Sequence, residues 1–163
     1  MNRTRKTSLA LFGAGCFWGV EEAFRTLKGV LSTSAGYAGG NMKNPTYEQV
    51  CTDETGHAEV VQVEYNGNEI SYEELLRTFW DKHNPTQLNR QGWGVGKQYR
   101  SVIFYHDEKQ KIAAEKSKKE LEKSKKCGDK KIVTSIEPAP MFYPAEEYHQ
   151  KYLMKRGKTS CHV

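Results

Sequence analysis

Apolar side chains in this chain come in short runs of either alternating or helical spacing, cut by glycine, proline and asparagine. Residues 7–12 form a compact apolar run closed by Gly13-Ala14-Gly15, which predicts a short buried strand. From Cys16 the positions Val20, Ala23, Phe24 and Leu27 recur at helical spacing as far as Gly29, so a helix is predicted there. A second strand is expected over 30–37, with tight turns at Gly36, Gly39 and Gly40, and a short helix over 47–51 after Pro45. Over 57–65, His57, Glu59, Val61, Val63 and Tyr65 share one side of a strand that Asn66-Gly67-Asn68 ends.

Ser71 and Glu74 have capping-box spacing ahead of Leu75, Leu76, Phe79 and Trp80, which predicts a helix that Asn84-Pro85 breaks. A long glycine-containing loop is expected over 86–98, then a strand over 100–105 and a charged helix over 107–126. Cys127-Gly128-Asp129 ends that helix before a strand over 131–136. Pro138, Pro140 and Pro144 predict an irregular stretch, followed by a short helical segment over 146–154. There is no internal repeat and no linker. The pattern is that of one α+β domain over 1–163, a sheet with helices packed on it, with flexible termini expected over 1–6 and about 155–163.

Composition changes this picture little. At 163 residues, 37% hydrophobic and 28% charged, the chain suits a single soluble core. The net charge of +5 comes largely from the lysines of 109–131, which Glu115, Glu120 and Glu122 interleave. Pairs such as Glu115–Lys119 and Lys118–Glu122 then predict a solvated helix face rather than a nucleic-acid patch. The basic N-terminus followed by Leu9-Ala10-Leu11-Phe12 is too short an apolar stretch for a secretory signal, and no stretch reaches membrane-span length. A cytoplasmic protein is expected. Its four cysteines, Cys16, Cys51, Cys127 and Cys161, lack any C-x-x-C pair and favour free or catalytic thiols.

Candidate chemistry centres on Gly15-Cys16-Phe17-Trp18-Gly19. A cysteine between glycines at a strand-to-helix turn faces unpaired backbone N–H groups that favour the thiolate. Phe17 and Trp18 offer an apolar surface suited to a methyl group or a sulfur atom. A buried structural cysteine among core aromatics fits the placement equally well. Glu59 shares a face with Val61 and Val63, where a carboxyl tends to keep its proton and can serve as an acid; an edge-strand glutamate bound to Arg100 is the other reading. Tyr47 and Tyr99 lie beside loops and could donate phenolic hydrogen bonds into a cleft. Cys161, behind Gly157-Lys158-Thr159-Ser160, could swing to a distant sulfur or be an unused surface thiol.

Seven segments resemble the A class of peptide methionine-S-sulfoxide reductases. They are 15–19 (GCFWG), 36–40 (GYAGG), 56–61 (GHAEVV), 84–87 (NPTQ), 89–92 (NRQG), 98–101 (QYRS) and 145–150 (AEEYHQ), in that family's order over about residues 8–154. The resemblance implies a ferredoxin-like α+β core, a two-layer arrangement with a mixed sheet, wrapped by irregular loops. It implies Cys16 as nucleophile, Glu59 as the acid that protonates the sulfoxide oxygen, Tyr47 and Tyr99 as holders of that oxygen, and Phe17 and Trp18 as the pocket for the S-methyl group. It further implies repair of methionine S-sulfoxide, free or in proteins, by a monomer with no bound cofactor or metal. Cys161 would resolve the oxidised Cys16, with Cys127 in reserve, and a thioredoxin-like dithiol would supply electrons. Cys51 is taken as a buried structural thiol. One departure stands out: Trp93-Gly94 occupies the place where the family usually has an aspartate.

Two other chemistries remain to be weighed. One is a Cys-His hydrolase using His57 or His149 as base; the other is a zinc module built from Cys51, His57, Cys161 and His162.

Overall fold

A computed structural model describes residues 7–158. The first half runs β1 (Thr7–Ala14), α1 (Phe17–Arg25), β2 (Val30–Ala38), α2 (Tyr47–Cys51), β3 (Ala58–Asn66) and α3 (Tyr72–Lys82). The second half runs β4 (Arg90–Gln91), β5 (Gly94–Val95), β6 (Ser101–Tyr105), α4 (Glu108–Lys123), β7 (Ser135–Pro138), β8 (Tyr143–Pro144) and α5 (Tyr152–Lys155), with single 3-10 turns at Lys97–Tyr99 and Glu147–His149.

Six strands form one sheet in the order β7-β6-β1-β3-β2-β8, and β4-β5 is a separate hairpin. The inner order β6-β1-β3-β2, antiparallel throughout, is the split β-α-β arrangement of the ferredoxin-like core. The parallel pair β6–β7 makes the sheet mixed. Helices α1, α3 and α4 pack on the sheet. Between them lies the main core, in which the buried Phe12 ring stacks on Phe24, Tyr72 and Phe79 at 5.1, 6.0 and 5.3 Å. The opposite face carries Leu11, Val60, Val102 and Phe104, partly roofed by Ala139 and Phe142. β3 is therefore paired on both sides, and its first four residues, Glu59 among them, are buried on both faces.

Local signals set most element ends. Thr46 caps α2 through a reciprocal bond pair with Gln49, Ser71 accepts from Glu74 N at α3, and Asp107 accepts from Gln110 N at α4. Several elements depart from the sequence reading. The strand expected over 131–136 begins only at Ser135, because Ile132 and Thr134 are buried by packing while Val133 N is taken by Pro85 O at 2.8 Å. The segment expected to be helical over 146–154 is broken at Lys151, where φ is 52° and the backbone N–H donates to Glu21 Oε1 at 2.6 Å. The loop over 86–98 contains the β4–β5 hairpin, and β8 forms inside the proline-rich stretch. Among the described residues, none of the expected i,i+4 pairs on α4 closes as an ion pair; Lys118 Nζ instead donates to Thr134 O at 3.0 Å. Residues 1–6 and 159–163, and with them the expected termini and Cys161, lie outside the described residues.

His83 closes α3. Its Nδ1 meets Phe79 O at 2.7 Å and its Nε2 meets Ser101 Oγ at 2.6 Å, which in turn meets Thr134 Oγ1 at 2.7 Å. Burial, only partly offset by the Phe79 carbonyl, pushes its pKa from 6.5 to about 4. The unfolded chain therefore takes up a proton that the native state refuses. Stability is complete above pH 6.5 and falls as pH drops toward 4, by about 3 kcal/mol in all. Urea unfolding between pH 4 and 7 should show this slope in the wild type and a shallower one in His83→Gln.

Candidate active site

Cys16 sits at the N-cap of α1, after Gly15, whose φ of 96° suits a residue with no Cβ. A Cβ at Gly15 would also press on the Gln91 side chain at 2.9 Å, so the strand-to-helix turn and β4 close on one another. Cys16 has no acidic neighbour in the first turn of its helix. The helix N–H groups and dipole there favour an anionic sulfur. The thiol is half-buried, and the next residue, Phe17, is fully buried.

Glu59 reaches the same point from the centre of the sheet. Its Oε1 accepts from Phe17 N at 3.2 Å and its Oε2 from Gln98 Nε2 at 3.0 Å, and only 1% of it is exposed. Arg100, the alternative partner weighed from sequence, donates to Lys97 O instead. Two phenols stand over this carboxyl. Burial pushes the pKa of Tyr47 and Tyr99 well above its ordinary value, and the charge of Glu59 is the next largest cause for both. Cys16 adds to the effect on Tyr99. Both hydroxyls therefore keep their protons at any physiological pH and act as neutral donors.

An aromatic wall completes the site. Phe17 packs on Tyr37, Tyr47 and His149 with centroids 5.7, 6.4 and 5.0 Å apart. Trp18 stacks on Tyr152 at 3.7 Å and donates its Nε1–H to His149 Nδ1 at 2.9 Å. That bond leaves the His149 proton on Nε2, and burial lowers the ring's pKa, so the imidazole is neutral. The structure thus brings Cys16, Phe17, Trp18, Tyr47, Glu59 and Tyr99 into one place from α1, α2, β3 and the Lys97–Tyr99 turn.

Several site residues were not singled out from the sequence. Glu146 accepts from Tyr37 OH and Tyr47 N, both at 2.9 Å, and so fixes α2 against the sheet. Glu21, 1% exposed, accepts from Thr33 Oγ1 at 2.8 Å and from Lys151 N, tying α1 to β2 and to the lead of α5. Gln98 completes the set, and His149, weighed from sequence only as a hydrolytic base, packs on Phe17 and accepts from Trp18. The only sequence hint was their presence within the 98–101 and 145–150 segments.

Two cysteines need correction or placement. Cys51 is exposed rather than buried, and its sulfur lies 3.6 Å from Gln98 Nε2 and against the Tyr47 side chain. Cys127 opens into a separate cleft of about 680 Å3 lined by Trp80, His83, Pro85 and Lys130. Gly94 lies under the Tyr99 ring, and a Cβ there would meet Tyr99 Cδ2 at 3.0 Å. A side chain at position 94 would therefore press on that ring, while Trp93 beside it stands 79% exposed.

His57, weighed from sequence as a hydrolytic base or a zinc ligand, is held by the backbone in this geometry. His57 accepts from Gly40 N at 3.0 Å through Nδ1 and turns Nε2 to Met42 O, so both ring nitrogens are spent on backbone. Among the described residues no group of three or more His, Cys, Asp or Glu side chains is arranged to hold a metal ion, and no helix is long and apolar enough to cross a membrane.

Comparison with known proteins agrees with this arrangement. The family model described as peptide methionine sulfoxide reductase matches residues 8–163. The peptide methionine sulfoxide reductase MsrA of Methanothermobacter thermautotrophicus is 58% identical over 94% of this chain and 90% of its own. The reduced form of Mxr1 from Saccharomyces cerevisiae superposes with a TM-score of 0.88 at 37% identity, covering 99% of this chain and 92% of that one. The same yeast protein in complex with Trx2 gives a TM-score of 0.64 at 28% identity, covering 93% of this chain and 88% of that one. With the sheet order, the cysteine at the helix start and the family match in agreement, this chain belongs to the peptide methionine sulfoxide reductase family.

Proposed function

We propose that the chain reduces the S epimer of methionine sulfoxide, free or in proteins, with Cys16 as nucleophile and Glu59 as the acid. The observation that carries this reading is the bond from Phe17 N to Glu59 Oε1, which holds a buried carboxyl one residue from the sulfur. The Cys16 thiolate attacks the sulfoxide sulfur while Glu59 passes its proton to the oxygen. Attack and protonation give a sulfurane in which Cys16 and a hydroxyl share the substrate sulfur; the hydroxyl then passes to the Cys16 sulfur as the substrate's bonds to both break, leaving the thioether of methionine and a Cys16 sulfenic acid. Tyr47 and Tyr99 hold the oxygen as it gains basicity. Neutral donors suit this task, because a fixed cation would hold Glu59 ionised and without a proton to give. The face of Phe17 and the Trp18–Tyr152 stack receive the methyl group, and their fixed orientation relative to the phenols selects one configuration at sulfur.

Cys161 then attacks the sulfenic acid, water leaves, and a Cys16–Cys161 disulfide remains for a thioredoxin-type dithiol to open. The yeast relative's complex with Trx2 supports that reductant. Cys127, which opens into the cleft between the ends of α3 and α4, is the reserve candidate. The enzyme works without a bound cofactor, and a monomer in the cytoplasm, where such dithiols stay reduced, fits this cycle.

Dithiothreitol-driven turnover on each sulfoxide epimer tests the chemistry. Cys16→Ser should be inactive, and Glu59→Gln should lose about 100-fold or more in rate. Tyr47→Phe and Tyr99→Phe should each lose about 10-fold. Only the S epimer should be consumed; equal use of both would remove the proposed methyl pocket.

Recycling is tested separately. Cys161→Ser should complete the first turnover, releasing one methionine per enzyme, and then stall with thioredoxin. Sustained thioredoxin-driven turnover in that variant would exclude Cys161, and the same stall in Cys127→Ser would put Cys127 in its place.

A further inference from the structure

We infer that Gln98 is a positioning residue for this reaction, its side-chain amide holding the Glu59 carboxyl in the orientation from which a proton reaches the sulfoxide oxygen. The inference rests on Glu59 being the acid. Gln98 is 3% exposed and belongs to the 3-10 turn that packs on β3. Its Nε2 lies 3.0 Å from Glu59 Oε2 and 3.6 Å from Cys51 Sγ. Both partners accept, so they agree on which end of the amide faces the acid. The other carboxyl oxygen is held by a backbone donor, Phe17 N.

The physical consequence follows from what each donor does when the proton leaves. Burial by itself makes a carboxyl cling to its proton. N–H donors on its oxygens stabilise the carboxylate that remains after transfer, and they are already aimed before the reaction starts. The backbone donor is part of the α1 turn and is common to any side chain at position 17. The amide of Gln98 is a donor that a side-chain choice supplies. Being neutral, it helps the anion form without forcing ionisation beforehand, which a lysine or arginine in its place would do. Titratable groups facing Glu59 include Tyr37, Tyr47 and Tyr99, and Cys16 and Cys51 act on the same phenols. Substitution at position 98 keeps all of these groups and removes, besides the bond to Glu59, the contacts of Gln98 with Tyr99 and with the Cys51 sulfur.

The test is the pH profile of the first turnover, followed as Cys16 oxidation by a peptide carrying methionine S-sulfoxide, in wild type, Gln98→Met, Gln98→Glu and Glu59→Gln. In Gln98→Met the rate at pH 7 should fall about 10-fold with KM within twofold, and the alkaline limb should move up by about one pH unit, since the carboxylate has lost a donor. In Gln98→Glu the limb should move up further, because two adjacent carboxyls share a proton. A role in packing alone makes the opposite prediction: a loosened site admits water, which solvates the carboxylate and moves the limb down. A limb that stays put or moves down in both variants overturns the inference, as does a raised KM with the rate intact. Should Gln98→Met fail to fold, Gln98→Glu decides by the direction of its limb. Glu59→Gln separates the two levels of the argument: it should lose the alkaline limb. If it keeps both the limb and the wild-type rate, the assignment of the acid itself has failed.

Discussion

The hydrogen bond from Phe17 N to Glu59 Oε1 joins the two parts of this molecule that must stay in register. One part is the start of α1, where Cys16 occupies the N-cap. The other is the middle of the sheet, where β3 is paired on both sides and its first four residues are buried on both faces. A carboxyl in such a place is costly unless its oxygens find donors. The free N–H of the first helical turn is one that every helix has to spare. A single bond thus satisfies a helix terminus and a buried acid, and it places that acid next to the sulfur.

Irregular chain around this point is held by the same device. Glu146 collects Tyr37 OH and Tyr47 N, while Glu21 collects Thr33 Oγ1 and Lys151 N. Gln150 uses both ends of its amide on Ala35, accepting from the N–H and donating to the carbonyl. The segment over 139–151 has no continuous secondary structure, so side chains rather than ladders satisfy its backbone and that of the sheet edge. Through these bonds His149 and Tyr152 are delivered to Phe17 and Trp18, and the aromatic wall is held in place.

The other side of the cleft is made by the β4–β5 hairpin and the Lys97–Tyr99 turn. Gly94 lies against the Tyr99 ring, and Asp53, just after α2, accepts from Lys97 N at 2.8 Å and so ties the turn that carries Tyr99 to the end of that helix. Trp93, Leu88 and Val95 leave this side with exposed apolar side chains.

Periodicity and punctuation in the sequence by themselves determined the strands and helices of the sheet core and the capped start of α3, because these depend on neighbours within four residues. The glycines around Cys16 likewise marked a strand-to-helix turn, since a positive φ at Gly15 is a local demand. The short ordered segments carried the family resemblance and the expectation of a ferredoxin-like core. What only the tertiary structure decided are the contacts across 39 to 131 residues of chain: Gln98 to Glu59, Glu146 to Tyr37 and Tyr47, His149 to Trp18. The exposure of Cys51 and the late start of β7 belong with them. A buried polar side chain leaves no period in a sequence, because its partner is chosen by what the folded core brings within 3 Å and not by its place along the chain.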